Sequence, residues 1–219
     1  MEDAQILQLW KSLESRLDRS ISLNKHSFEE LQRLKASSVL RPLKGTRWFG
    51  IIFGLIWLGL LAFLVLHSLT LSKIFFVVSV GIHFIVSAIA IGVYIRHLVL
   101  IDQFDNSRTI VEAQQKLVML STSNLKILGL LWLQLPVFST FFMSLQWMRN
   151  DPWSFWGIEV PIVLLEAIIG IWLYRNLNYK NHSKRWFKWM VGRGELARIN
   201  RASGFLKEIE EFKDEGGDF

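Results

Sequence analysis

The stretch WFGIIFGLIWLGLLAFLVL, Trp48–Leu66, runs without a single charged side chain. An α-helix rises 1.5 Å per residue and a bilayer's hydrocarbon core is about 30 Å thick, so roughly 20 apolar residues cross it. Trp48–Leu66 is therefore long enough to be a membrane span. Ile74–Ile95, Leu125–Leu145 and Ile158–Tyr174 are of the same kind. A buried helix of a soluble protein is equally apolar over about 10–14 residues. Four full-length runs, with 51% hydrophobic residues and a mean hydropathy of +0.30, instead predict an all-α membrane protein with four transmembrane helices in two hairpins.

Charge gives the orientation. Nine Lys and Arg precede Trp48, four lie between Arg96 and Lys126, and ten follow from Arg175 onward, whereas Lys73 and Arg149 stand alone in the other two connections. Basic flanks stay cytoplasmic. The expected layout is a cytoplasmic segment 1–47, a four-helix domain 48–175 with a cytoplasmic connection 96–124, and a cytoplasmic segment 176–219. The location this predicts is the inner membrane, multi-pass, with both termini in the cytoplasm.

Several functions are disfavoured. Cys is absent, which removes disulfides, Cys-ligated zinc, iron–sulfur clusters and thiol nucleophiles. The net charge of +6 is spread among acidic residues on helical segments, which fits a positive-inside excess and anionic lipid rather than nucleic acid. A secretory signal would place its apolar core near the start, but polar residues 1–47 come first, so no cleavage is expected. The sequon Asn181-His182-Ser183 falls on the cytoplasmic side and reads as accidental. No Ser-His-Asp set, phosphate-cradling loop or HExxH helix is present, so neither an enzyme nor a cofactor is expected.

The polar segments read as amphipathic helices. Ile6, Trp10, Leu13, Leu17, Ser20, Asn24, Ser27, Leu31, Leu34 and Ser38 recur in steps of four and three, the 3.5-residue period of a coiled-coil seam. The polar stretch around Ser20–Asn24 reads either as buried polar positions that specify register within one helix or, the reading slightly favoured, as a break between two helices, and Pro42 with Gly45 is expected to separate this region from the first span. In the connection, Asp105-Asn106-Ser107 interrupts a continuation of span two. A helix then starts with Thr109 and Glu112 at capping-box spacing and Ile110, Ala113, Leu117 and Leu120 along one side. Lys184, Arg185, Trp186, Lys188 and Trp189 have the composition of a lipid-interface segment. A last helix carrying Leu196, Ile199, Phe205, Leu206, Ile209 and Phe212 needs a cover, the N-terminal helix of the same or a neighbouring chain.

Ionisable groups inside spans are costly and so are functional candidates. His83, Gln134 and Glu166 fall near mid-membrane, and Pro136 should free the carbonyl of Trp132. Such a set, with Ser87 and Ser139 nearby, serves either as interhelical hydrogen-bond glue or as a proton or ion pathway. Haem held by His83 is disfavoured because His67 and His97 lie at other depths, and no metal is expected. Gly50 with Gly54, and Ala88 with Gly92, have the small-xxx-small spacing of close helix packing. Trp147, Trp153 and Trp156 form an expected outer aromatic belt, and Trp48, Tyr94 and Tyr174 an inner one.

Leu34-Lys35-Ala36-Ser37-Ser38-Val39-Leu40-Arg41-Pro42-Leu43-Lys44, Glu112-Ala113-Gln114-Gln115-Lys116-Leu117 and Leu133-Gln134-Leu135-Pro136 together resemble a family of small, uncharacterised four-span membrane proteins of Bacteroidota. That resemblance implies association with extracytoplasmic-function sigma factors and a regulatory or sigma-sequestering role. The residues themselves predict a membrane regulator, scaffold or anchor. Its partners would be the bilayer and either a second copy of the chain or a cytoplasmic protein. The alternative is a proton- or ion-coupled transporter or channel.

Overall fold

The computed structural model describes residues 2–67, 74–181, 183–191 and 194–215, with side chains from Trp10 to Phe212. The side chain of Ile6, the turn holding Lys73, His182 of the sequon, Gly192, Arg193 and the tail from Gly216 lie outside the described residues. Every regular element among the described residues is helical: α1 (Glu2–Leu66), α2 (Ile74–Asp105), α3 (Ile110–Trp132), α4 (Leu135–Thr140), α5 (Leu145–Asn150), α6 (Pro152–Ser154), α7 (Val160–Asn176), α8 (Arg185–Val191) and α9 (Glu195–Glu215). Four stretches are long and apolar enough to cross a membrane: α1, α2, α3 with α4, and the run Pro152–Asn176.

α1 corrects two expectations, because it is one helix of 65 residues with Pro42 inside it, about 100 Å long. Neither Ser20–Asn24 nor Pro42-Gly45 interrupts it. A proline inside a helix costs about 3 kcal/mol. Leu40 and Leu43, on either side of Pro42, are essentially fully buried, each contributing about 1.5–3 kcal/mol. Packing on both flanks thus outweighs the lost bond.

Those leucines belong to a closed four-helix core at the basic end of the molecule. Ala36, Leu40 and Leu43 of α1 meet Leu100, Ile101 and Phe104 of α2, and the expected stripe Ile110, Ala113, Leu117 and Leu120 of α3; Ile199, Ala202, Leu206 and Ile209 of α9 complete the ring. α9 runs antiparallel to α1, with Glu195 bonded to Arg47 at one end and Phe212 tilted against Phe28, ring centroids 4.5 Å apart, at the other. The cover expected for the last helix is thus supplied within the same chain. The α2–α3 turn is fastened to α1 by Lys44 on Asp105 at 2.8 Å, Ser37 donating to Asp105 at 2.7 Å and Arg33 donating to the carbonyl of Ser107 at 2.8 Å. Thr109 caps α3 by accepting from the Glu112 amide at 3.1 Å, and the Glu112 carboxylate reaches back to the Arg108 amide at 3.2 Å, a reciprocal cap displaced by one residue.

The apolar spans form a row. α1 packs on α2, α2 on α3 and α4, and these on α7. Within the most apolar window of each, 44% is buried for the α3–α4 run but only 11% for α1 and for Pro152–Asn176, so the row has α3 and α4 in its middle. The third span does not continue to Leu145 as expected. Pro136 cannot donate to Trp132, and the chain tightens there: the Gln134 amide bonds the Leu131 carbonyl at 3.2 Å and the Val137 amide the Gln134 carbonyl at 2.9 Å. A Cβ built on Gly170 of α7 would sit 3.0 Å from the Trp132 carbonyl oxygen. The helix break and the glycine opposite it therefore fit as a pair. The fourth span begins earlier than Ile158, at Pro152, through a π-helical stretch Phe155–Glu159.

Candidate functional site

The polar residues within the four apolar stretches divide into separate contacts. His83 is buried on α2, with its ring centroid 4.3 Å from Phe138, 5.4 Å from Phe141 and 6.4 Å from Trp57. Its Nδ1 has no hydrogen-bond partner. Glu166 of α7 is half-buried and accepts from the Ser139 hydroxyl at 2.7 Å. Because Phe138 and Ser139 are adjacent on α4, that helix stands between His83 and Glu166, and among the described residues no hydrogen bond or ion pair joins them. Gln134 is buried in the break, its Nε2 unpaired. Ser79 and Thr140 make a further link between α2 and α4 at 2.7 Å, beside a cavity of about 400 Å³.

A different polar constellation, unmarked in the sequence, sits where the spans meet the basic core. Arg47 is the last residue before the first span and is only 4% exposed. Its guanidinium donates to Asn124 Oδ1 of α3 at 2.8 Å, pairs with Glu195 of α9 and lies 4.7 Å from the Tyr94 ring of α2. One side chain thus ties four helices. Glu195 stands in the first turn of α9, where a carboxylate is favoured by the helix dipole. The knot borders a cavity of about 300 Å³ lined also by Leu128, Leu131 and Met190.

His97 lies nearby on α2, two residues past Ile95, where the expected second span ends. Its ring is fully buried and its Nε2 is 2.9 Å from Ser123 Oγ. Burial first, then the charges of Arg47 and Arg96, lower its pKa to about 4. The imidazole is therefore neutral at pH 7 and adds no second charge beside Arg47.

The expected packing residues separate in the same way. A Cβ on Gly50 would stand 2.8 Å from Tyr94 Cε2, and one on Gly54 2.9 Å from Ile91 Cγ1, so this pair does seat α1 on α2. Ala88 and Gly92 do not pack within the chain: Ala88 is exposed and nothing lies within 4 Å of a Cβ on Gly92. The side of α2 that meets α1 is the one bearing Ile91 and Tyr94. Gly129, whose Cβ would come 3.4 Å from the Tyr174 Cα, and Gly170 supply the close approach of α3 and α7. Neither has a glycine partner four residues away to announce it.

In the interface segment, Lys184, Arg185, Lys188 and Trp189 are exposed. Trp186 instead turns inward, 5.0 Å from Trp172, and Phe187 is buried against Leu125, Leu173 and Leu177. Of the expected belt residues, Trp48, Trp153, Trp156 and Tyr174 are more than half exposed, whereas Trp147 packs on Phe155, ring centroids 5.7 Å apart, and Tyr94 carries Arg47 over its ring. Among the described residues no three His, Asp or Glu side chains come together as a metal site. His67 bonds its own helix, at the Phe63 carbonyl 3.0 Å away.

No protein-family model matches this chain, nor does any curated protein or solved structure.

Proposed function

We propose that this is a multi-pass inner-membrane protein of regulatory, scaffold or anchoring type that binds a protein partner through its cytoplasmic helices. One observation carries the reading. Below Phe28 the closed core ends, yet α1 continues outward with Trp10, Leu13, Leu17 and Ile21 all more than half exposed. A lone helix segment gains stability mainly from packing its apolar face, and a contiguous exposed apolar strip marks an interaction site. The positive-inside count supports a cytoplasmic position for this strip.

A photoreactive residue at Leu17, activated in native membranes, is expected to form a protein adduct. The adduct should disappear when Leu13 is changed to Glu. Absence of any protein adduct contradicts the reading.

Transport is the second reading, favoured by the unpaired Gln134 and His83 nitrogens and the Ser139–Glu166 bond within the spans. It ranks lower because Phe138 and Phe141 wall His83 off rather than linking it to Glu166. It requires proton or ion flux in proteoliposomes that both Glu166→Gln and His83→Ala abolish. Flux that is absent, or unchanged by both, rejects it.

A further inference from the structure

The exposed strip on α1 has a sequence period that specifies its occupant. With Trp10, Leu17, Asn24 and Leu31 at a, and Leu13, Ser20, Ser27 and Leu34 at d, the strip is a heptad seam four repeats long. The face of α1 that packs within the chain is a different one. Gln32, Ala36 and Leu40 are buried there, with Gln32 donating to Glu208 of α9 at 2.8 Å. Leu31 and Leu34 remain 51% and 61% exposed on the far side. α9 therefore leaves the a and d positions open: it covers the neighbouring face and reaches only the flanking e positions, where Phe28 meets Phe212 and Lys35 lies over the Phe205 ring.

We infer that the segment from Trp10 to Leu34 pairs with the same segment of a second copy as a parallel, in-register two-stranded coiled coil. This rests on the protein-binding reading above and names its partner. Three observations select a second copy. First, the seam is continuous with a membrane span, so every copy in one bilayer projects α1 in the same direction from the same height. Parallel and unstaggered pairing follows from that anchoring. Second, in that register Asn24 meets Asn24 of the other copy, and a single a-position asparagine specifies register and dimeric state at a cost in stability. Third, Ile21 and Leu23 at e and g lay apolar surface over the polar middle of the seam, and Glu30 at g is in register with Lys35 at e of the other copy, whose ammonium lies at the edge of the seam over Phe205 of its own α9. The Ser20–Asn24–Ser27 layers make the coil weak in isolation. Confinement of both copies to one membrane raises their effective concentration and offsets this.

Because the chain has no Cys, single cysteines report the pairing directly. Leu17→Cys and Asn24→Cys, at a, and Ser22→Cys, at f, lie in the projecting segment outside the core, so full-length protein should fold with each. On oxidation in isolated native membranes, Leu17→Cys and Asn24→Cys are expected to give disulfide-linked homodimers, and Ser22→Cys at least tenfold less. Equal yields at all three positions, or no homodimer at the two a positions, overturn the inference. A Leu17 photoadduct to a different protein without disulfide homodimers overturns it too, while leaving the partner-binding reading intact. No adduct of any kind removes both.

Discussion

Arg47→Ala is expected to lower stability by about 3–5 kcal/mol, the cost of breaking a buried pair from one side. The Arg47 side chain is 5% exposed and that of Glu195 25%, so the carboxylate left behind stays largely out of water, and Asn124 loses its partner as well. Glu195→Ala should be comparably damaging, because it leaves a guanidinium buried with only an amide and a ring face to solvate it. The double variant Arg47→Met with Glu195→Met should recover most of the loss, since apolar replacement of a whole buried pair is often neutral or stabilising. Thermal unfolding in detergent micelles or nanodiscs measures all three. A loss below 1 kcal/mol for Arg47→Ala would mean that the four helices meeting at this residue are held by apolar packing alone.

Leu206→Ala is the second large effect. Leu206 is fully buried in the ring formed by α1, α2, α3 and α9, and removing a core leucine side chain to Cβ costs about 2–5 kcal/mol, depending on how far the site collapses. The loss should localise. Amide hydrogen exchange should accelerate across α9 and across the facing part of α1 around Ala36–Leu43, with the spans unaffected. Leu13→Ala, on the exposed strip, should change monomer unfolding by no more than about 0.5 kcal/mol. Equal effects of the two substitutions would mean that α9 is not docked where the structure places it.

The contrast between these residues shows what the sequence discloses. Leu206, with Ile199 and Ile209, announces itself through helical period, as do Ile110, Ala113, Leu117 and Leu120, and all of them are buried as their spacing predicts. The interruption at Asp105-Asn106-Ser107 and the Thr109 cap were equally legible, because turn and cap chemistry is local. Arg47 was not. In the sequence it is one of several basic residues flanking a span, and its value comes from Asn124 and Glu195, 77 and 148 positions away.

Proline shows the same limit in both directions. Pro136 breaks its helix as local chemistry predicts, while Pro42 does not, because Leu40 and Leu43 are clamped on either side of it. Depth along a span does not fix contact either. His83 and Glu166 lie at similar heights, but rotation about each helix axis decides what a side chain meets, and α4 with Phe138 and Ser139 comes between them. The spacing of Gly50 and Gly54 marks them as a packing pair. Gly129 and Gly170 each act alone against a backbone on another helix, so no local pattern marks them.

The account rests on four helices threading a bilayer with all three basic segments on one side. Labelling with a membrane-impermeant maleimide tests this in single-cysteine variants of the Cys-free chain, comparing intact with permeabilised cells. Asn150→Cys should react in intact cells, and Ser15→Cys, Asn106→Cys and Lys207→Cys only after permeabilisation. Reaction of Ser15→Cys or Lys207→Cys in intact cells, or recovery of the protein from membranes without detergent, would contradict it.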